Sequence, residues 1–305
     1  MPRLTTGLIV ALFLIAPATA QTATKARGDS LKLAGDLVGA AQTYTAALLQ
    51  GEDVAFELAS TYALHPQFAD SAFHYLTLAL ETDDTMRPLW HSDFALLAKD
   101  DRWGQIEATQ LDKLATQVAG PFNRDYARQL LRMRVHEWAY RYPIMLAFRQ
   151  LGPNSPIVTA LSTAMSENHE DNLAALAPLI DEHGWPELSA VGHEAAYAAG
   201  NVINHSDLAT RQQYLPLLKA VCERGEGDWS RYAHIYDRTE LELGNPQLYG
   251  TQMEQNPETG RFEPQPLVDP ETVDERRAAL SMEPLADQLD RFNENMARDF
   301  GSANN

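Results

Sequence analysis

Cysteine is almost absent from this chain of 305 residues, which contains only Cys222. A single cysteine excludes an intramolecular disulfide. Cys222 follows Leu208, Leu215 and Leu218 at helical spacing, on one apolar face. We therefore predict a buried and unreactive thiol at this position rather than a nucleophile.

Long hydrophobic runs are also scarce, and the longest one stands at the N-terminus. The run "GLIVALFLIA" (residues 7–16) follows Arg3 and precedes "PATA", where Ala18 and Ala20 occupy the small-residue positions of a cleavage site. This pattern is typical of a secretory leader and is too short for a transmembrane helix. We expect residues 1–20 to be a signal peptide cleaved near Ala20. The mature protein is then exported, to the periplasm or the medium, without insertion into the membrane.

Basic residues are few compared with acidic ones. The chain has 24 Lys and Arg against 42 Asp and Glu, for a formal net charge of −18. Nucleic acids and anionic membranes require a basic face on their protein partner. The composition therefore argues against nucleic-acid binding, while 45% hydrophobic residues are ordinary for a globular protein.

Motifs of well-known catalytic sites are missing as well. The sequence has no Gly-x-Ser-x-Gly elbow, no phosphate-binding loop and no dinucleotide fingerprint. "HEWAY" (136–140) and "HEAAY" (193–197) begin like the zinc motif His-Glu-x-x-His, but tyrosine holds the fifth position in both. His183, His193 and His205 include no pair four residues apart. We therefore predict no metal site and no cofactor.

What is present in residues 26–119 is a helical repeat. Ala40, Tyr44 and Ala47 recur 32 residues later as a second set with the same spacing, Ala72, Leu76 and Ala79. Small residues at fixed helical positions let paired helices pack closely. The region resembles tetratricopeptide repeats, without the large tryptophan of their first helix. The resemblance implies a protein or peptide partner; a structural lid on the rest of the chain is the alternative.

Residues 121–305 form the second predicted domain, which begins at a Gly-Pro break. Helical periodicity predicts one helix starting at Ser155 and a second ending before Gly184. One further helix is predicted to open at Pro186, with the apolar face Val191, Ala195, Ala198 and Val202. Others are predicted over residues 207–224, 228–243 and the C-terminal segment. The expected fold class is mainly α, with repeats followed by a helical domain.

Helical periodicity stops near residues 247–267. "NPETG" (256–260) has the composition of a turn, and the flanking segments are predicted to be short strands or extended chain. Pro264 and Pro266 restrict the second flank to a sheet edge. We expect an irregular ribbon that lies across helices.

Polar residues that are difficult to explain as solvated surface collect around this ribbon. Asp237 and Arg238 share a helical face with His234. His205 stands at a helix junction, and the ribbon supplies hydroxyl and amide groups from three residues, Tyr249, Thr251 and Gln252. One hypothesis is a small polar pocket in which the ribbon covers His205 and Arg238. The alternative is that these side chains only satisfy the backbone of the ribbon.

Several ordered motifs resemble a bacterial family of unknown function, DUF6624, over about residues 125–295. They are "DEHGWPELSAVG" (181–192), "NHSD" (204–207), "YLPLLKAVCERGE" (214–226), "YDR" (236–238), "GNPQLYGTQ" (244–252) and "PLVDPETVDERRAALSMEPL" (266–285). The resemblance implies a mostly helical domain, often exported, and no assigned activity. The resemblance also implies the motif Asp-Gln-x-Tyr-Arg at residues 137–141. Tyr140 and Arg141 fit this motif, whereas Glu137 and Trp138 depart from it. Asn204 stands where the resemblance implies glutamine.

Two functions from different classes follow. The first is an exported helical binding or scaffolding protein, whose ligand site would use Arg238, Tyr249, Thr251 and Gln252. The second is an uncharacterised, hydrolase-like enzyme whose catalytic candidates are His205, Asp237 and Arg238, with His205 as acid or base and Arg238 holding an anion.

Overall fold

The computed structural model describes residues 24–82 and 86–300, and its fold is mainly α, as predicted. The signal-peptide prediction lies outside the described residues. The N-terminal region consists of α1 (Lys25–Ala34), α2 (Leu37–Leu49), α3 (Ala55–Ala63), α4 (Ala69–Ala79) and, after three short 3₁₀ turns, α5 (Trp103–Gln117).

The helices α1 to α4 form two consecutive hairpins that pack on each other. The repeated positions that the sequence singled out are all buried, with Ala40, Tyr44 and Ala72 at 0% exposure. Gly28 explains part of this closeness, because a Cβ there would lie 2.3 Å from the ring of Tyr44. Stacked hairpins agree with a repeat, and the closer likeness to tetratricopeptide repeats stays a prediction.

The second region contains nine helices among the described residues. They are α6 (Arg124–Glu137), α7 (Arg141–Leu151), α8 (Pro156–His183), α9 (Leu188–Val191), α10 (His193–His205), α11 (Leu208–Glu223), α12 (Trp229–Glu242), α13 (Val273–Ala279) and α14 (Leu285–Phe300). The prediction of two helices between Ser155 and Gly184 was wrong, since α8 is one helix of 28 residues. No Gly or Pro interrupts residues 157–177, so the helix continues.

The largest buried cluster lies where α6, α8, α10, α11 and α12 meet. The predicted apolar face is fully inside it, with Val191 and Ala195 at 0% exposure. The prediction of one helix was wrong, because Gly192 divides it into α9 and α10. Cys222 is buried there too, and burial raises the pKa of its thiol to about 12. The thiol is therefore not ionised at neutral pH, as expected for an inert core residue.

The predicted ribbon is present. Strands β1 (Met253–Gln255) and β2 (Phe262–Pro264) pair antiparallel, with Glu254 opposite Glu263. The predicted turn closes between them, because the amide of Gly260 donates to the carbonyl of Asn256 at 2.8 Å. The side chain of Asn293, on α14, bonds both the amide and the carbonyl of Phe262 and so fastens β2 to that helix.

Within the described residues, no helix combines the length and the apolar character that crossing a membrane requires.

Candidate functional site

The ribbon is held by a buried carboxylate on α12. Asp237 has 0% exposure, and its oxygens accept hydrogen bonds from the amides of Leu248 at 2.8 Å, Tyr249 at 3.0 Å and Thr251 at 3.0 Å. The hydroxyl of Thr251 adds a further bond at 2.9 Å. Burial raises the pKa of Asp237, and these donors oppose the rise. The segment "QLYGTQ" therefore wraps around one carboxylate, as the backbone-satisfying hypothesis requires.

A second polar side chain closes the ribbon on itself. Gln247, at 0% exposure, donates to the carbonyls of Gln252 and Gln265 and accepts from the amide of Gln252 at 2.9 Å. Gly250 has φ of 69°, a left-handed conformation that suits glycine, and a Cβ there would lie 3.0 Å from Leu285. The geometry of this segment explains its unusual composition.

Four of the six predicted site residues lie together at the ribbon, and Arg238 and His205 do not bond to them. Asp237, Tyr249 and Thr251 meet at the ribbon, and the side-chain Nε2 of Gln252 donates to the carbonyl of His234 at 3.3 Å. Arg238 forms no hydrogen bond with the described residues; burial lowers its pKa, and the nearby charge of Arg211 adds to this effect.

His205 lies elsewhere, in a cluster with Glu137 and His169. Oε1 of Glu137 lies 2.9 Å from Nδ1 of His169 and 3.0 Å from Nδ1 of His205. One ligand atom from each residue lies within 4.8 Å of the other two. Ligand atoms that share one metal ion at bonds of about 2.1 Å stand roughly 3.0–3.4 Å apart. We call these three residues the Glu–His cluster.

Three neighbouring helices build the Glu–His cluster. Glu137 is the last residue of α6, His205 is the last residue of α10, and His169 lies in the middle of α8. These helices pack against one another in the core. The C-termini of two helices thus meet here, and the negative ends of their dipoles favour a positive charge.

A second layer of side chains orients the carboxylate. Nδ2 of Asn172 donates to Oε2 of Glu137 at 2.8 Å, and Oδ1 of Asn172 lies 3.1 Å from Nδ1 of His136. Burial alone would raise the pKa of Glu137. The hydrogen bonds from His169, His205 and Asn172 outweigh this effect and lower the pKa to about 2. The carboxylate is therefore ionised at neutral pH.

The cluster is buried on one side and open on the other. The side chains of Glu137, His169 and His205 are 4%, 16% and 33% exposed. The ring of Trp138 lies edge-on to His205, 5.8 Å between centroids. His205 is therefore the member of the cluster that a solute reaches first.

A cavity of about 540 Å³ opens nearby, between the 3₁₀ turns of residues 87–99 and the helices α5, α6 and α8. His136 and Asn168 line it, and the amide of Asn168 donates to the carbonyl of His136 at 2.8 Å. Most other lining residues are apolar, including Leu96, Leu131 and Leu161. A volume of this size accommodates a small molecule, and its wall is one residue removed from Glu137.

The model of a family of unknown function, DUF6624, matches residues 124–298. The chain belongs to this family. No curated protein and no solved structure matches it. The match spans the whole Glu–His cluster and the ribbon, so both belong to the DUF6624 domain, whereas the N-terminal repeats precede it.

Two of the three residues that depart from the motifs expected of DUF6624 lie at the Glu–His cluster. Glu137 replaces the expected aspartate and keeps a carboxylate in the cluster. Trp138 replaces the expected glutamine and packs on His205. Asn204 is 8% exposed, and its Oδ1 accepts no hydrogen bond from the described residues.

His169 and Asn172 are the site residues that sequence reasoning missed. They lie 32 and 35 positions after Glu137, on a different helix. They share one face of α8 because they are three residues apart, and that spacing within "HEDN" was the only signal available.

Proposed function

We propose that this chain is an exported helical binding protein whose DUF6624 domain holds a divalent transition-metal ion at the Glu–His cluster. The observation that carries the proposal is that one ionised carboxylate and two imidazoles place a ligand atom each within 4.8 Å of one another. Sequence reasoning assigned no metal because it looked for histidines on one helix, whereas these ligands come from three.

The donor set favours a particular class of ion. Two imidazoles and one carboxylate suit zinc and similar first-row metals, and they leave coordination positions for water or a ligand. Asn172 supplies the outer-shell hydrogen bond that orients a ligating carboxylate. The exposed edge of His205 places the open positions on the solvent side.

Isothermal titration of the mature protein with Zn²⁺ and Mn²⁺ tests the proposal. We expect one Zn²⁺ per chain and a loss of at least ten-fold in affinity for His205→Ala and for Glu137→Gln. His193→Ala is the matched control, because His193 lies on the same helix, is 63% exposed and stands outside the cluster. Unchanged binding in His205→Ala, or no binding by the wild type, would refute the site.

A hydrolase-like enzyme is the second candidate function, and the exposure of His205 favours it. With Nδ1 of His205 bonded to Glu137 and 33% of the side chain exposed, the other ring nitrogen is left to accept a proton. Asp237 is not available for such chemistry, because its oxygens are used by the ribbon. The test is hydrolysis of an activated ester or phosphodiester. Turnover that disappears in Glu137→Gln but persists in Asp290→Asn supports this candidate. Equal turnover in the two variants rules it out.

Export and a protein or peptide partner of the N-terminal repeats are part of the proposal. The leader-like N-terminus supports export, and the stacked hairpins α1 to α4 support a partner surface. Cell fractionation checks the first: the protein should appear outside the cytoplasm and lack residues 1–20. Protein found in full length in the cytoplasm argues against it.

A further inference from the structure

Two arginines lie against one tyrosine ring at the junction of α6, α10 and α12. The guanidinium carbon of Arg134 is 4.5 Å from the ring centroid of Tyr197, and that of Arg231 is 4.2 Å from the same centroid. Arg134 also lies 4.6 Å from the ring of Trp90. We call Arg134 and Arg231 the arginine pair. Aromatic faces stabilise such cations, but they do not neutralise them.

Among the described residues, the arginine pair has one carboxylate partner. Glu194 forms an ion pair with Arg134. Within residues 24–82 and 86–300, Arg231 forms no ion pair, and its guanidinium makes no hydrogen bond. Burial lowers the pKa of Arg134 to about 10, and the charge of Arg231 contributes to that shift. Two positive charges held together in a partly buried site favour a further anion.

Three buried donors without acceptors among the described residues belong to Arg231, to Trp90 beside Arg134, and to Asn201. Nε1 of Trp90, Nδ2 of Asn201 and Nε of Arg231 have no hydrogen-bond partner in the described part of the chain. Asn201 is only 3% exposed and stands one turn after Tyr197 on the same face of α10. Oε2 of Glu194 also lacks a hydrogen bond, but it is already in the ion pair with Arg134. A buried donor without a hydrogen-bond partner is unfavourable. These three donors therefore favour a ligand that brings acceptor oxygens.

We propose that the arginine pair, together with Asn201, forms a binding site for an anionic group with several oxygens, either a phosphate or a carboxylate. Guanidinium groups recognise both, because their N–H groups match pairs of oxygens. Both guanidinium carbons lie within 4.5 Å of the same ring centroid, which keeps the two charges close enough to act on one bound anion.

This site is separate from the Glu–His cluster and does not depend on a metal. Arg134 precedes Glu137 by one turn of α6, and Tyr197 precedes His205 by two turns of α10. The two sites nevertheless lie along the same pair of helices. A ligand with an anionic end can therefore place another part of itself towards His205.

Titration with inorganic phosphate and with succinate, in buffer containing a chelator, tests the anion site. We expect the wild type to bind at least one of them and Arg231→Gln to lose at least ten-fold in affinity, since it keeps a polar side chain without the charge. Gly200→Ala supplies an independent variant: its added Cβ would lie 2.3 Å from Cγ of Arg231, so the side chain must move while its charge remains. We expect the same loss there.

Arg224→Gln is the control, because Arg224 is 54% exposed and pairs with Glu187 on the surface. Its affinity should equal that of the wild type, and so should that of His205→Ala, which removes a metal ligand only. Tighter binding of phosphate than of succinate identifies a phosphate site, and the reverse identifies a carboxylate site. The proposal is overturned if the wild type binds neither anion, or if folded Arg231→Gln binds as well as the wild type.

Discussion

At the scale of single residues, Asp237 shows how one carboxylate organises an irregular segment. Its oxygens accept bonds from three amides and one hydroxyl of the ribbon. Replacing it with asparagine turns one oxygen into a donor that faces other donors. We expect Asp237→Asn to lower the free energy of unfolding by about 2–4 kcal/mol, measured by urea denaturation.

The control for that change is Asp290→Asn. Asp290 is 72% exposed and pairs with Arg261 at the surface. Exposed pairs of this kind contribute less than about 1 kcal/mol. Equal stability losses in the two variants would mean that Asp237 does not anchor the ribbon.

His234 makes stability depend on pH. Burial, helped by the charge of Arg231, lowers its pKa to about 4, while the carbonyl of Ser230 and the charge of Asp228 act in the opposite direction. As the pH falls, His234 takes up a proton in the unfolded chain near the ordinary histidine pKa of about 6.5, before it does so in the folded chain. Stability is complete above that pH and falls as the pH drops towards 4, by about 2 kcal/mol at pH 5.

We expect His234→Gln to remove this part of the pH dependence. The measurement is urea denaturation at pH 7 and pH 5, comparing the difference between the two pH values with that of the wild type. His91 keeps a similar but separate contribution, because burial lowers its pKa as well. His193→Gln, at an exposed position, should retain the wild-type difference. If His234→Gln retains it too, then His234 does not titrate as proposed.

At the scale of helices and strands, the sequence predicted what local rules control. The buried face of α10 follows from apolar residues at helical spacing, and the turn of residues 256–260 follows from its proline and glycine. The sequence did not predict that α8 is continuous, because the residues between Glu167 and Asp171 are polar. A helix can nevertheless run through a polar stretch, because it does not need an apolar face in every turn.

The Glu–His cluster could not be predicted by such rules. His205 was a candidate, but its partners lie on α6 and α8, and nothing in the sequence gives the distance between them. Asp237 and Thr251 were proposed together and do meet, because the ribbon folds back after a short connection. Contacts close along the chain are thus easier to infer than those made by packing of distant helices.

The ribbon depends on a second buried charge, Arg277 of α13. At 0% exposure, it donates to the carbonyls of Tyr249 and Glu283, both at 2.7 Å, and to the side chain of Gln288. We expect Arg277→Ala to speed hydrogen exchange at the amides of Leu248 and Thr251 at least ten-fold, because local opening of the ribbon becomes easier.

Exchange in α6 and α10 should stay slow in the same sample, since the ribbon opens without the core. Arg261→Ala is the control on the ribbon itself, because Arg261 is 60% exposed and pairs at the surface. Fast exchange in Arg261→Ala, or an unchanged rate in Arg277→Ala, contradicts the role assigned to Arg277.

At the scale of the whole molecule, part of the N-terminal region shares a buried cluster with the DUF6624 domain. Met86, Leu89 and Leu111 belong to the same buried cluster as the residues of α6. Glu107 of α5 accepts two hydrogen bonds from Arg132 of α6, both at 2.6 Å. The predicted boundary near residue 120 marks a change in the sequence pattern, but the packing of side chains continues across it.

This continuity predicts the behaviour of fragments. A fragment of residues 121–305 loses the three buried side chains Met86, Leu89 and Leu111, which contribute roughly 5–9 kcal/mol of apolar burial, comparable to the whole stability of a domain. We expect it to melt far below the mature chain and to bind a hydrophobic dye. Residues 86–305 keep those side chains and α5, so their melting temperature should fall between the two. If residues 121–305 melt at the temperature of the mature chain, then the DUF6624 domain folds without its N-terminal neighbour, and the shared cluster contributes nothing to it.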